Sequence, residues 1–398
     1  MNIPPPAQFL RTTAWMMPLA FLFAISCHSR ASVSLERNVG VPKAYNWDSA
    51  ATAAKDPLLN PLFATLKKHA IPAAAIGYQL NPDPKVIAYA APSKWRNPQA
   101  WWMAGYGLDY RSPMRVASVS KPLLAVAYQN QPILRNNLDS GFYQLWKAYI
   151  DSSLPEPKDP RVKDITLRHL LNHVSGFDKT NIGFDPAYTG KTVEEQLPGI
   201  LKDKMLASSP GDKPSYSNFS YMILARLAQA LTAKPWITVL RGRFPAGAPI
   251  HEGSDTIPVG AATAPAAGAA EPDIYYLQGN DGEFVMEPKI GEGNIVANVA
   301  TLTWIATQYW INGETDLGFS TANTIGKPFA TVPPEPGLVL GFNGSMPGTE
   351  AALMQYCTPG GRVAAICVIV NTRRPGSTFL ADLNKAMFSF LKEKFGKL

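Results

Sequence analysis

Apolar positions recur with a helical period at both ends of the chain and alternate over several short runs between them. Leu58, Leu59, Leu62, Phe63 and Leu66 share one face over residues 56–69, the spacing of a half-buried helix. Ile71 to Leu80, Val86 to Ala91 and Trp101 to Tyr106 then read as strands, with Trp101 and Trp102 as core residues. From Leu123 to Leu231 the pattern predicts mostly helices joined by long loops. Among them are Leu167 to His173, capped by Thr166 and stopped at Ser175-Gly176, and Tyr221 to Leu231. A proline-, glycine- and alanine-rich stretch over 240–273, densest from Thr263 to Ala270, reads as a surface insertion. A helix near Ala300 to Tyr309 follows, and strands are predicted at Leu338 to Phe342, Ala351 to Cys357 and Val363 to Val370. The last helix, Ser377 to Phe395, carries Phe379, Leu383, Met387 and Phe390 on one face.

Composition narrows this picture. With 398 residues, 46% hydrophobic and 17% charged, the chain can bury a large core, and disorder is not expected. Residues 1–31 read as an export signal: Arg11, an apolar run from Ala14 to Ile25 broken by Pro18, then small residues. A run of about 12 residues is too short to span a bilayer, so the expected product is exported and periplasmic. Two processing sites compete. Ser29-Arg30-Ala31 has the small-x-small form of ordinary cleavage, and Ala24-Ile25-Ser26-Cys27 resembles a lipoprotein box that would anchor the protein through Cys27. Residues 32–55 read as a linker, and 56–398 as the functional domain. Removing Arg11 and Arg30 with the leader lowers the formal charge from +7 to +5. No basic cluster with interleaved aromatics is present, which excludes nucleic acid as an expected partner; Lys392, Lys394 and Lys397 read as one solvated helix face.

Cys357 and Cys367 flank the turn signal Thr358-Pro359-Gly360-Gly361. The simplest hairpin pairs Cys357 with Arg362 and leaves Cys367 about 16 Å along the ladder. A disulfide needs Cα atoms within about 7 Å, so two free thiols are expected.

The candidate chemistry begins at Arg115-Val116-Ala117-Ser118-Val119-Ser120-Lys121-Pro122, which precedes an apolar run. Serine-x-x-lysine puts a hydroxyl and an amine one helical turn apart, close enough for one to take the other's proton. Pro122 suits a first helical turn, and a helix N-terminus there favours the alkoxide of Ser118 and the neutral form of Lys121. Such a tetrad arises by chance about once or twice in a chain of this composition, so other segments carry the weight. Tyr216 stands in Ser215-Tyr216-Ser217-Asn218, on a loop about to enter a helix, where a phenol can be aimed into a cleft. The similar Tyr128-Gln129-Asn130 reads as an ordinary helix end. Gly341-Phe342-Asn343-Gly344-Ser345 precedes the last hairpin. Glycine there lets a strand edge approach closely, and the Ser345 N–H paired with that of Ser118 could form an oxyanion hole; a plain glycine-rich turn is the alternative. His169 and His173 have zinc-helix spacing, but Leu170, Leu171 and Asn172 stand where such a site needs a glutamate, so packing or capping is expected and no metal.

In this order and at these gaps, 98 residues from Ser118 to Tyr216 and 128 from Tyr216 to Gly344, the motifs resemble the serine β-lactamase and penicillin-binding protein superfamily. The likeness is greatest to its class C β-lactamase, D-Ala-D-Ala carboxypeptidase and related esterase branch. It runs from about residue 57 to the C-terminus and also includes Gly105-Tyr106-Gly107, Leu167 to Gly176 and Pro347-Gly348. The resemblance implies an α+β fold: a mainly antiparallel sheet built from segments 56–122 and 291–398, flanked by helices, with a helical subdomain over about 123–290 and the active site between them. It further implies Ser118 as acylating nucleophile, Lys121 as proton acceptor, Tyr216 as proton relay and Asn218, Phe342, Asn343 and Gly344 lining the site, with no metal or cofactor. One position departs from the pattern. Phe342 stands where the family usually has a lysine or histidine that holds a substrate carboxylate, a contact worth about 1.5–3 kcal/mol. Esterase members commonly have an aromatic there. The expectation is a serine hydrolase acting through an acyl-enzyme on a small or peptidoglycan-derived ester or amide, with weak or no β-lactam turnover. A class C β-lactamase proper and a penicillin- or peptidoglycan-binding pseudoenzyme are the alternatives. Nothing in the sequence sets the oligomeric state.

Overall fold

The computed structural model describes residues 47–48, 56–81, 100–104, 113–178, 189–242, 244, 248, 250–252, 287–311, 325–346, 348–373 and 377–398. Contacts divide the chain into residues 1–40, which lie outside that set, and residues 41–398, which hold every element below. The leader, the strand at Val86 to Ala91, Gly105-Tyr106-Gly107 and the Thr263–Ala270 stretch also lie outside the described residues.

The N-terminal helix starts later than its apolar spacing suggests. Asp56 caps a short 3-10 turn over Pro57–Leu59 by accepting the Leu58 N–H, and α1 spans Asn60–Lys68. It closes with Ala70 in the left-handed region and Ile71 N–H on the Leu66 carbonyl. This closure delays β1 to Ala74–Leu80, three residues past the predicted start. β2 (Ala100–Ala104) pairs with β1, and β3 is the two-residue strand Met114–Arg115. Helices then dominate: α2 (Ser120–Asn130), α3 (Pro132–Asn136), α4 (Phe142–Tyr149), α5 (Leu167–Leu171), α6 (Val193–Asp203), α7 (Asn218–Thr232) and α8 (Trp236–Arg241). Strand β4, Ile250–Glu252, falls inside the stretch read as a surface insertion. Three residues are too few to show alternation, yet Ile250 is buried. β5 (Ile295–Ala297) and α9 (Val299–Ala306) lead to the antiparallel run β6 (Val339–Met346), β7 (Thr349–Cys357) and β8 (Val363–Val370), and α10 (Phe379–Phe395) ends the chain.

The main sheet has the order β2-β1-β8-β7-β6, antiparallel throughout, so both chain ends build it and β6 is an edge. β7 and β8 are buried along their whole length because helices cover both faces. On one face Ile76, Tyr78, Met354, Tyr356, Ile366 and Val368 meet Leu62, Phe63 and Leu66 of α1 and Phe379, Met387 and Phe390 of α10. On the other, Ala75, Ala351, Leu353, Ala365 and Cys367 join one core with α2, α7 and α9. A second sheet, β3-β5-β4, sets Arg115 beside Val296. No helix among the described residues is long and apolar enough to cross a membrane.

Three details differ from the sequence reading. β6 runs on through Asn343-Gly344-Ser345, which are strand residues, because the Met346–Thr349 pair closes the hairpin. Cys357 faces Val363 and not Arg362: Thr358 N–H bonds the Arg362 carbonyl, and Gly361, at φ +78°, takes the left-handed position of a three-residue loop. Both cysteines are free, as the ladder distance requires. Lys394 is no freely solvated residue, since its ammonium bonds Asp56 at 2.7 Å and lies over the Tyr78 ring.

Phe390 is 1% exposed and packs edge-on against Tyr78, with ring centres 4.7 Å apart. Phe390→Ala is expected to lower stability by about 3–5 kcal/mol in chemical denaturation.

Candidate active site

Residues 113–130 are all buried except Ser118. It sits in the 3-10 turn Ala117–Val119 ahead of α2, and Ala117 before it adopts the left-handed conformation, φ +48°. A non-glycine residue held there needs support from its surroundings. Val116 N–H bonds the Ile295 carbonyl, Ile295 N–H bonds Ser120 Oγ, and the Thr349 hydroxyl donates to the Arg115 carbonyl. Both sheets therefore hold the turn.

Two donors converge on the Ser118 hydroxyl oxygen. Lys121 Nζ lies 3.1 Å away and the Tyr216 hydroxyl 2.6 Å away. Lys121 has no exposed side-chain surface, and it also donates to the Glu292 carbonyl at 2.7 Å and lies 3.6 Å from Glu292 Oε2. The same ammonium is 4.7 Å from the centre of the Tyr216 ring and 5.7 Å from that of Tyr221, a cation–π arrangement.

Tyr216 is placed by His173. The His173 carbonyl accepts Ser215 N–H at 2.7 Å, its Nδ1 accepts Ser217 N–H at 3.0 Å, and its ring stacks on the Tyr216 ring with centres 4.8 Å apart. His173 lies past the end of α5 with φ +55°, so the helical i, i+4 relation to His169 is broken. Burial, and then the charge of Lys121, keep its pKa far below that of a free histidine, and the neutral ring leaves Nδ1 able to accept. His169 instead completes the capping box of α5 with Thr166. The two histidines thus pack and cap, as their sequence context implies. Among the described residues no cluster of three or more histidine, cysteine or acidic side chains could hold a metal. Ser217 caps α7 through Ser220 N–H, which places Asn218 in the first turn of that helix, partly buried. Burial drives the Tyr221 phenol far above its ordinary pKa, and its hydroxyl donates to the Leu171 carbonyl.

β6 closes against the serine turn. A Cβ on Gly344 would lie 2.3 Å from the Val116 carbonyl oxygen and 2.9 Å from Ser118 N, so only glycine permits this approach. The contact favours the strand-edge reading of Gly344 over a plain turn. Phe342, two residues back on the same face, is 5% exposed and belongs to the core shared by the sheet and α2. Asn343 and Ser345 point to the opposite face by strand alternation; Asn343 is exposed, and Ser345 Oγ accepts from Arg373 Nε at 3.2 Å. Ser118, Lys121, Tyr216 and the Gly344 backbone are thus brought together, while the Asn343 side chain is turned away. Tyr128 stays out of the site: α2 ends at Asn130, and the phenol donates to the Leu224 carbonyl.

Sequence reasoning gave no role to Glu292. The available signal was an acid between two glycines, Gly291-Glu292-Gly293, just before an apolar strand.

The family model for Beta-lactamase matches residues 60–317 of this chain. The chain belongs to the beta-lactamase family. By family it is a serine hydrolase. A probable fimbrial assembly protein FimD, serogroup H1, of Dichelobacter nodosus is 29% identical over 166 residues, 38% of this chain and 39% of that protein, so the match spans well under half of this curated relative. The structure of a D-amino acid amidase from Ochrobactrum anthropi SV3 aligns with a TM-score of 0.55 at 16% identity, covering 85% of this chain and 99% of that one. EstCE1, described as a hydrolase with promiscuous acyltransferase activity, aligns at 0.54 and 14%, covering 86% and 99%. At such identities these two structures share the fold of this beta-lactamase-family chain.

Gly344→Ala is expected to cost about 1–3 kcal/mol in chemical denaturation, because the added methyl must push β6 off the serine turn. It should also slow covalent labelling of Ser118, measured by intact mass.

Proposed function

We propose that the protein is an exported serine hydrolase that forms an acyl-enzyme at Ser118 from a neutral ester or amide. The observation that carries this reading is the convergence of Lys121 Nζ and the Tyr216 hydroxyl on one partly exposed serine oxygen, at 3.1 and 2.6 Å. Lys121, as the neutral amine, takes the Ser118 proton while Oγ attacks the carbonyl carbon. Negative charge then collects on the carbonyl oxygen, where the N–H groups of Ser118 and Ser345 receive it. As the tetrahedral intermediate collapses, Tyr216 passes a proton to the leaving oxygen or nitrogen and is recharged from Lys121. Water repeats the sequence on the acyl-enzyme, with Asn218 lining the site.

The preference for neutral substrates rests on Phe342. A buried phenyl ring at that position offers a carboxylate nothing, and Arg373 reaches Ser345 on the strand face opposite Phe342. Export rests on the leader, Arg11 followed by the apolar run from Ala14.

Ser118→Ala is expected to abolish fluorophosphonate labelling and ester hydrolysis without unfolding, and Tyr216→Phe to slow turnover about a hundredfold or more. Wild-type rates in either variant would remove the mechanism. With benzylpenicillin the wild type should show no long-lived adduct by intact mass and at most slow loss of the drug. A long-lived Ser118 adduct would favour the penicillin-binding alternative, and rapid loss of the drug the β-lactamase.

Phe342→His is expected to raise the kcat/KM ratio of carboxylate-bearing over neutral esters by about one to two decades. A folded variant with unchanged preference would show that another residue sets it.

A further inference from the structure

Glu292 enters none of the steps above, although its carboxylate lies 3.6 Å from Lys121 Nζ with the two side chains 5% and 0% exposed. The chain is shaped to deliver it. Gly291, at φ +74°, lets the segment pass α7, since a Cβ there would meet Ala225 Cβ at 2.5 Å and the Tyr221 carbonyl at 2.8 Å. Gly293 lies beneath β6, where a Cβ would come 3.0 Å from the flexible Met346 Cε. The turn is tied by Gly291 N–H on Asn294 Oδ1 and by the N–H groups of Glu292 and Gly293 on the Lys289 carbonyl. Any residue could supply the backbone carbonyl that Lys121 uses at 2.7 Å. A carboxylate in so dry a place is costly unless it balances a cation.

Among the described residues, Lys121 Nζ is met by the Ser118 hydroxyl, the rings of Tyr216 and Tyr221 and the Glu292 carbonyl and carboxylate, with His173 behind Tyr216. The acid in this set is Glu292. We propose that Glu292 is a positioning residue for the reaction set out above, on which this inference rests: it holds Lys121 as an ammonium and so sets the pH above which Ser118 is activated. Lys121 can accept the Ser118 proton only through a nitrogen lone pair, so the ammonium must first release a proton to solvent. The carboxylate opposes that release. The N-terminal end of α2, with about half a charge, and burial both favour the neutral amine, and Glu292 opposes them with a full opposite charge at 3.6 Å.

The test is the rate of fluorophosphonate labelling of Ser118 in the full chain as a function of pH, read by intact mass, with melting curves to establish folding. In Glu292→Gln the acid limb is expected to move down by about one unit or more, making labelling one unit below the wild-type midpoint roughly fivefold faster. Glu292→Asp, which keeps the charge, should stay nearer the wild-type limb. An unmoved limb in folded Glu292→Gln overturns the proposal. Should Glu292→Gln fail to fold, Glu292→Met removes the charge with an apolar chain of similar length and is read in the same way. A wild type that does not label at all fails the Ser118 reading itself, a result distinct from an unmoved limb.

Discussion

An amine with no exposed surface must be solvated by the protein, and the groups that solvate Lys121 are the groups that make the site. Its ammonium meets the Ser118 hydroxyl, the Glu292 carbonyl and carboxylate, and the faces of two tyrosine rings. They come from three separate segments of the chain. Satisfying one buried cation therefore requires the turn before α2, the loop before α7 and the segment before β5 to meet at one point.

Close approach of backbones is the second condition, and it is met by residues chosen for what they lack. Gly344 brings an edge strand against the serine turn, while Gly291 lets the Glu292 segment pass α7. Ala117 and His173 have side chains and yet hold left-handed conformations. Ala117 is held by β3 and β5 on either side of the turn, and His173 by hydrogen bonds through both its carbonyl and its ring. Such strain is stored where the surroundings over-determine the geometry. Here that is beside Ser118 and behind Tyr216.

The sequence by itself determined the kinds of element and named Ser118, Lys121 and Tyr216 as candidates. Apolar alternation in β7 and β8 and helical spacing in α1 and α10 follow from burial on fixed periods, so they are visible in any window of the chain. Ser118, Lys121 and Tyr216 were legible because serine-x-x-lysine, tyrosine-x-asparagine and the glycine-rich segment follow one another in the order and at the spacing of the family they resemble; each motif alone is too common to mark a site. Limits of elements were less legible: β6 continues past Phe342 because pairing with β7 continues, and β4 exists only because β5 lies beside it. The tertiary structure alone decided that Glu292 meets a lysine 171 residues away, that His173 stacks on Tyr216, and that Asn343 faces away from the serine while Gly344 presses on it. These are relations between distant segments. A sequence window carries the preference of each residue for burial or charge, but the partner that meets that preference is set by how the sheets and helices pack.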